Sequence, residues 1–150
     1  MTTGGILRTA GAEELRVLLD AAHSDGALGV VEMEFAARGA GPPLHVHPTH
    51  GEGFYVLAGE MTFQLGDEIV TAAPRTWAFA PRDTPHTLAN RSAHPARLLC
   101  IFAPGGFERR FARMLAEATG TDPGLALSTA EEATRMIGPP LSVPSDPADL

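Results

Sequence analysis

One short stretch of the chain combines residues whose types and spacing are those of metal ligands. His45 and His47 lie two positions apart, and Glu52 follows after a turn that contains proline and glycine. Residues two apart on a β-strand point to the same face, so both imidazoles can reach one point in space. Two such imidazoles and a carboxylate returning on the next strand are the components of a metal site. The stretch from Gly39 to Gly59 therefore predicts metal-dependent chemistry.

The composition excludes several other classes of chemistry. The chain has 150 residues, a net charge of −7 and no lysine. Lysine nucleophiles and Schiff-base chemistry are therefore excluded, and no basic stripe is present to neutralise the phosphates of a nucleic acid. The single cysteine, Cys100, excludes an internal disulfide and a cysteine-based zinc site. Because no apolar run is long enough to span a bilayer, we expect a soluble cytoplasmic protein without a membrane partner.

The elements that must position these residues are short strands. Residues 28–37 alternate apolar and acidic side chains from Val31 to Phe35, which is typical of a half-buried strand. Residues 14–20 are compatible with a strand or a helical turn, and the pattern does not decide. Strand patterns recur at intervals of about 8–12 residues, a spacing that favours an all-β sandwich or barrel over a parallel α/β sheet. The further strands are predicted at 45–47, 52–57, 61–65, 69–73, 76–80, 86–90 and 97–102.

The C-terminal third of the chain changes to helical periodicity. Residues 107–118 carry a stripe of apolar side chains that predicts a helix packed over the barrel, with a lid or a dimer contact as alternatives. A second helix is predicted at 129–137, where Ser128 and Glu131 have the spacing of a capping box. The stripe consists of Phe107, Phe111, Met114, Leu115 and Ala118.

These patterns predict one domain that spans residues 1–150. Its barrel core is expected at about 28–103 and its helical extension at about 105–140. Residues 141–150 are rich in proline, serine and aspartate and are predicted to form an arm or a tail. The patterns do not decide whether residues 120–150 cover the mouth of the barrel.

Two motifs in the chain resemble those of the cupin family. The spacing of Gly39, His45, His47, Glu52 and Gly59 matches the first cupin motif at every defined position. The two motifs together span residues 39–90, and the strand count extends the similarity to about 28–103.

The second cupin motif is matched in part. Pro81, His86 and Asn90 stand in register with it, whereas Arg75 and Asp83 occupy two positions at which the motif has glycine. Both departures fall in turns and not on ligands. Asp83 is compatible with a positive φ, and Arg75 simply precedes a strand.

The resemblance implies an all-β fold, the cupin-type double-stranded β-helix or jelly-roll barrel, with one or two C-terminal helices. It also implies that His45, His47, Glu52 and His86 bind one divalent transition metal inside that barrel. Four protein ligands leave one or two coordination positions open, which indicates catalysis and not a structural site. The ligand set suits Fe, Mn, Co, Ni, Cu or Zn without selecting among them.

His50 and Glu52 are the candidate catalytic residues. Glu52 has a spare carboxylate oxygen that could accept a substrate proton. His50 could hydrogen-bond a ligand or shuttle protons near the mouth of the barrel. The alternative, which its position in a turn favours, is an exposed loop histidine.

Strand alternation predicts which side chains reach a substrate. Counting from Glu52 and from His86 turns Phe54 and Leu88 to the metal side. On the neighbouring strands, which carry Gln64, Phe79 and Phe102, the face of the sheet to which each side chain points is an assumption. The implied cavity is mostly apolar, which suits an aromatic or polyketide-like molecule, although such aromatics can simply fill a small barrel. The candidate substrate-binding residues are Phe54, Gln64, Phe79, Leu88 and Phe102.

Three functions follow from these observations. The chain is similar to small bacterial single-domain cupins of the quercetin 2,3-dioxygenase type and to cupins of aromatic polyketide pathways. This similarity implies a metal-dependent dioxygenase acting on a small aromatic or enolic molecule. The alternatives are a non-redox cyclase, isomerase or lyase, and a barrel that binds a small ligand without catalysis. We expect a homodimer, because jelly-roll sheets have broad faces and edges that need covering.

Overall fold

Ten short strands and two helices make up the described part of the chain, residues 12–121 and 124–145 of a computed structural model. The helices are α1 (Arg109–Ala118) and α2 (Thr129–Ala133), and a 3₁₀ turn spans Ala21–His23. The strands are β1 (Ala12–Leu19), β2 (Gly29–Phe35), β3 (Leu44–Val46), β4 (Gly51–Ala58), β5 (Met61–Leu65), β6 (Glu68–Ala72), β7 (Trp77–Ala80), β8 (His86–Ala89), β9 (Ala96–Ala103) and β10 (Arg135–Gly138).

The strands form two antiparallel five-stranded sheets. The first sheet has the order β1-β2-β9-β4-β7 and the second the order β10-β3-β8-β5-β6. Strands that follow one another in the chain thus often lie in opposite sheets, which is the crossing pattern of a double-stranded β-helix. The predicted all-β jelly-roll fold is confirmed. The segment left open between strand and helical turn is β1, which pairs antiparallel with β2.

Alternation along the strands builds the core between the sheets. In β2 the buried side chains alternate with half-buried ones, because a strand turns successive side chains to opposite faces. The two sheets meet through aromatic contacts such as Phe54 of β4 on Phe63 of β5, whose ring centroids are 5.0 Å apart. Both rings are fully buried, and burial of a side chain of this size stabilises the fold by about 1.5–3 kcal/mol.

Helix α1 packs its apolar stripe on the barrel. Phe107 and Leu115 belong to the buried core, and the Phe107 ring lies 5.4 Å from that of Phe102 in β9. The helix is anchored by Glu108, a buried carboxylate that accepts hydrogen bonds from the backbone N–H groups of Ala21 (2.7 Å) and Gly106 (2.6 Å). The first helix therefore packs over the barrel.

Helix α2 is shorter than the sequence pattern predicts. It begins at the predicted capping box, in which Ser128 and Glu131 each accept from the other's backbone N–H, but it ends at Ala133. Thr134 is extended (φ −66°, ψ 135°), and the next four residues form β10, which pairs with β3. The pairing supplies backbone hydrogen bonds at the sheet edge in place of another helical turn. The predicted tail at 141–150 lies partly outside the described residues.

The two positions that lack the expected glycine both have a positive φ. The value is 70° at Arg75 and 63° at Asp83. The interpretation of Arg75 as an ordinary residue before a strand is therefore wrong. The turn keeps the backbone shape of the motif because the Arg75 N–H donates to the carbonyl of Val56 (2.8 Å). Such a conformation costs an L-residue about 1–2 kcal/mol relative to the right-handed region.

Neither helix of the described part of the chain has the combined length and hydropathy of a membrane span.

Candidate metal centre

The four predicted ligands converge between the two sheets. His45 on β3 pairs in register with His86 on β8, and His47 follows β3 directly. Glu52 enters from β4 of the opposite sheet. All four side chains are buried, and their candidate ligand atoms lie within 4.8 Å of one another.

The carboxylate of Glu52 lies at the middle of this cluster. Its Oε2 is 2.9 Å from Nε2 of His86 and 3.1 Å from Nε2 of His47. The first contact is a hydrogen bond, whereas the buried Nε2 of His47 makes no hydrogen bond to any described residue. A buried ring nitrogen without a partner is costly unless something else binds it. The site therefore holds a free nitrogen donor beside an oxygen donor.

The outer ring nitrogens fix how the imidazoles point. Nδ1 of His45 donates to the carbonyl of Pro43 (2.7 Å), and Nδ1 of His86 donates to the carbonyl of Thr84 (2.8 Å). Because a carbonyl can only accept, Nδ1 carries a proton in both rings. Nε2 of the neutral His45 ring therefore has its lone pair toward the cluster. The hydrogen bond from Nε2 of His86 to the Glu52 carboxylate requires a second proton on that ring, which a bound metal would displace. Metal-ligating histidines are held in this way.

Charge in the cluster matches a divalent cation. Burial raises the pKa of Glu52, but the imidazoles of His47 and His86 outweigh burial and hold that pKa well below its usual range, so the carboxylate is ionised. Burial lowers the pKa of His45 to about 4, which leaves its imidazole neutral near pH 7. Burial also lowers the pKa of His86, but its hydrogen bond to Glu52 and the charge there raise it above the ordinary value. The donor set fits one transition metal, because neutral imidazole and ionised carboxylate are the ligating forms.

His50 is not an exposed loop histidine, as its turn position suggested. It is 1% exposed, and its ring stacks on that of His47 with centroids 4.3 Å apart. The reason is tertiary, since Phe102 and Phe107 pack against His50 from β9 and from the turn before α1. Burial lowers its pKa to about 4, and its Nε2 makes no hydrogen bond to any described residue. His50 thus contacts a ligand but lies outside the cluster of four.

A cavity of about 320 Å³ opens beside the cluster. Its wall includes His45 and Glu52 and is otherwise mostly apolar. The sequence pattern predicted a helix over the barrel at 107–118, with a lid as an alternative, but it assigned none of these residues, and not Met136, to a substrate cavity. The other lining residues are Leu15, Met33, Phe35, Ala40, Gly41, Pro42, Leu88, Cys100, Phe107, Arg110, Phe111, Met114 and Met136.

The predicted substrate residues take four different positions. Leu88 lines the cavity. Phe54 and Phe102 are fully buried but pack into the core and are not part of the cavity wall. Gln64 follows Phe63 on β5 and therefore points to the other face of the sheet, where it is half-buried. Its amide donates to the carbonyl of Gly66.

Phe79 faces outward, which corrects its predicted interior position. It is 58% exposed and stands over Gly51, where an added Cβ would lie 2.9 Å from its ring. The pairing of Glu52 with Ala80 sets the phase of β7 and turns the alanines inward. Side chains of a strand always alternate between two faces, but only the pairing with a neighbouring strand decides which of them face the interior.

We predict that His45→Ala removes a stabilising metal site. In wild-type protein, adding Ni²⁺, Co²⁺ or Zn²⁺ after chelator treatment should raise the thermal unfolding midpoint, because a ligand at about 100 times its Kd stabilises the folded state by about 2.7 kcal/mol. In His45→Ala this increase should vanish, and in His94→Ala, an exposed histidine, it should persist. An unchanged metal-induced shift in His45→Ala contradicts the site.

Comparison with known proteins identifies the fold independently. The family model described as "Cupin domain" matches residues 31–102. TT1209 from Thermus thermophilus is 33% identical, over 53% of this chain and 74% of that one, with a TM-score of 0.50. The polyketide cyclase RemF from Streptomyces resistomycificus is 26% identical, over 68% and 73% of the two chains, with a TM-score of 0.55.

A third structure supports the fold alone. The RmlC-like cupin from Shewanella frigidimarina is 20% identical, over 69% of this chain and 86% of that one, with a TM-score of 0.57. No protein of curated function matches the chain by sequence. The cupin-domain match, the two interleaved sheets and the histidine–glutamate cluster between them agree with one another, and this chain belongs to the cupin family.

Proposed function

We propose that this cupin is a metal-dependent enzyme that acts on a small aromatic or enolic molecule, as a dioxygenase-type oxidoreductase. One observation carries the proposal. His45 and Glu52 belong both to the buried donor cluster and to the wall of the apolar cavity, so a substrate in that cavity would meet the metal directly. A purely structural metal site has no such access.

The protein's own groups have distinct roles in this proposal. A divalent metal held by His45, His47, Glu52 and His86 would supply Lewis acidity toward a substrate oxygen. Oε2 of Glu52 contacts two imidazoles, whereas Oε1 makes no hydrogen bond to any described residue. Oε1 is therefore the atom that would accept the proton of a substrate hydroxyl or enol. The apolar wall would exclude water from the reacting group.

The cavity also limits the size and polarity of the substrate. Its volume of about 320 Å³ lies at the low end of the range of about 300–1,000 Å³ for small-molecule sites. Phe111 and Met114 of α1 and Met136 of β10 contribute aromatic and thioether surface to the wall. These features favour a compact aromatic body over a sugar.

Arg110 suggests an acidic group on the substrate. It is the basic residue of the cavity wall, and its guanidinium makes no hydrogen bond or ion pair with any described residue. It also lies in the first turn of α1, where the helix dipole disfavours a positive charge. We propose that a carboxylate or phenolate of the substrate pairs with Arg110.

We predict that Glu52→Gln lowers turnover of a suitable flavonol or enolic polyketide about 100-fold or more, the usual contribution of a positioned base. His50→Gln should lower it less than tenfold, because His50 contacts a ligand but not the cavity. Oxygen uptake, product formation and bound metal are measured together. Equally small effects of both changes contradict the roles assigned to Glu52 and His50.

The second candidate is a non-redox, metal-dependent cyclase, isomerase or lyase. The similarity to RemF, a polyketide cyclase, favours it, because that likeness covers 68% of this chain. The two candidates differ in their need for oxygen. Turnover that persists under strict anaerobiosis eliminates the dioxygenase and leaves the non-redox enzyme.

We predict that Arg110→Gln removes a preference for anionic ligands. Wild-type protein should bind 2-naphthoate at least tenfold more tightly than the neutral 2-naphthamide, and Arg110→Gln should bind both alike. Arg109→Gln is the matched control, because Arg109 is an exposed neighbour outside the cavity wall. Calorimetric titration measures the affinities. A wild-type protein without the preference, or Arg110→Gln that keeps it, contradicts this assignment.

We also propose that the chain forms a homodimer through the edge of the first sheet. Strand β7 is an edge strand, and its outer face carries Trp77 and Phe79, which are 56% and 58% exposed. Two copies related by a two-fold axis could pair these edges and cover the aromatic rings.

We predict that the double change Trp77→Ser and Phe79→Ser lowers the mass in sedimentation equilibrium from dimer to monomer. Ile69→Ser is the control, since Ile69 is equally exposed (58%) but lies on the edge strand of the other sheet. A monomeric wild-type protein, or a dimer that survives the double change, refutes this interface.

A further inference from the structure

We propose that Thr134 is a positioning residue for the ligand His47, so that the C-terminal segment completes the metal centre. The proposal rests on the metal centre proposed above, but on neither of the two reactions. Thr134 follows α2 and lies outside the matched cupin domain, residues 31–102. No pattern in the sequence connects it to the metal ligands.

The hydrogen bonds of Thr134 define which atom carries each proton. Its Oγ1 lies 2.8 Å from the carbonyl of Ala130 and 2.8 Å from Nδ1 of His47. A hydroxyl has one hydrogen, and the carbonyl can only accept, so Thr134 donates to Ala130. The hydroxyl oxygen must then accept from Nδ1–H of His47. This arrangement leaves Nε2 of His47 without a proton and directed at the cluster, where it has no hydrogen-bond partner.

His47 differs from the other two histidines in the source of this support. His45 and His86 donate to carbonyls two residues earlier in their own strands or turns, at Pro43 and Thr84. Any chain that folds into these strands supplies those acceptors. The partner of His47 is 87 residues away in sequence. The orientation of this ligand therefore depends on docking of the C-terminal segment.

Three contacts hold Thr134 in place. The capping box of Ser128 and Glu131 fixes the start of α2, and Glu131 also forms a partly buried ion pair with Arg113 of α1. Immediately after Thr134, β10 pairs with β3, with Met136 opposite His45. The hydroxyl is thus held from both sides, which is required if it is to fix the ring of His47.

The loss of this contact would release the ring. Without the acceptor at Nδ1, His47 could place its proton on Nε2 or rotate within its stack on His50, and either change removes a donor from the cluster. Loss of such an outer hydrogen bond typically weakens metal binding about 10–100-fold. The C-terminal segment would then set metal affinity in addition to lining the cavity.

The test compares Thr134→Val, which keeps the shape and removes the hydroxyl, with Thr134→Ser, which keeps the hydroxyl. Co²⁺ affinity is measured on the full chain by competition with a chelator, after metal removal. We expect Thr134→Val to bind Co²⁺ about 10–100-fold more weakly and Thr134→Ser to stay within about threefold of wild type. Thr129→Val is the control, because Thr129 is an exposed threonine at the start of α2, the helix that Thr134 follows.

A second measurement separates positioning from stability. The ¹⁵N shifts of the His47 ring in metal-free protein should report the Nδ1–H form in wild type and in Thr134→Ser, and a mixture of tautomers in Thr134→Val. Co²⁺ affinity of Thr134→Val equal to that of wild type overturns the proposal, as does an equal loss in Thr129→Val or an unchanged His47 tautomer. None of these measurements needs turnover, so the catalytic proposals can fail while this one stands.

Discussion

An ionised carboxylate enclosed between two sheets is the constraint on which the rest of this structure depends. Burying Glu52 alone would cost several kcal/mol, and the protein offsets part of this cost with a hydrogen bond from Nε2 of His86, 2.9 Å from Oε2, while Nε2 of His47 lies 3.1 Å from the same oxygen. Those imidazoles come from the opposite sheet, so the charge joins the two sheets at one point. The same arrangement concentrates four donor atoms, which is why the interaction that offsets a buried charge is also a candidate metal site.

The C-terminal third acts on this centre in three ways. Phe107 packs on His47 and His50, Arg113 and Glu131 connect the two helices, and Thr134 accepts from His47. Each contact is made between parts of the chain that are distant in sequence. The barrel strands hold His45, Glu52 and His86, whereas the later segment shapes the cavity and holds the remaining ligand. The ligand support thus comes partly from within the matched cupin domain, residues 31–102, and partly from the segment that follows it.

The strand residues show why the two-residue period of side-chain alternation can be predicted from sequence, whereas the face on which the alternation starts cannot. Alternation counted from Glu52 and from His86 correctly turned Phe54 and Leu88 to the interior, but only Leu88 lines the cavity, whereas Phe54 packs in the core. Alternation with an assumed start failed at Phe79, which stands outside over Gly51. Local geometry likewise could not show that His50 is buried, because the rings that cover it come from residues 102 and 107.

The sequence by itself predicted strands β2 to β9, the all-β class and the four residues of the candidate metal cluster with their spacing, because these follow from local periodicity and from a motif of defined positions. It also predicted the start of α2 from the capping box. Only the tertiary structure decided the end of α2, the burial of His50, the outward side of β7 and the link from Thr134 to His47. Each of these depends on which distant segment packs against a residue. Contacts between distant segments do not produce a periodic pattern in the sequence, so they cannot be predicted from it.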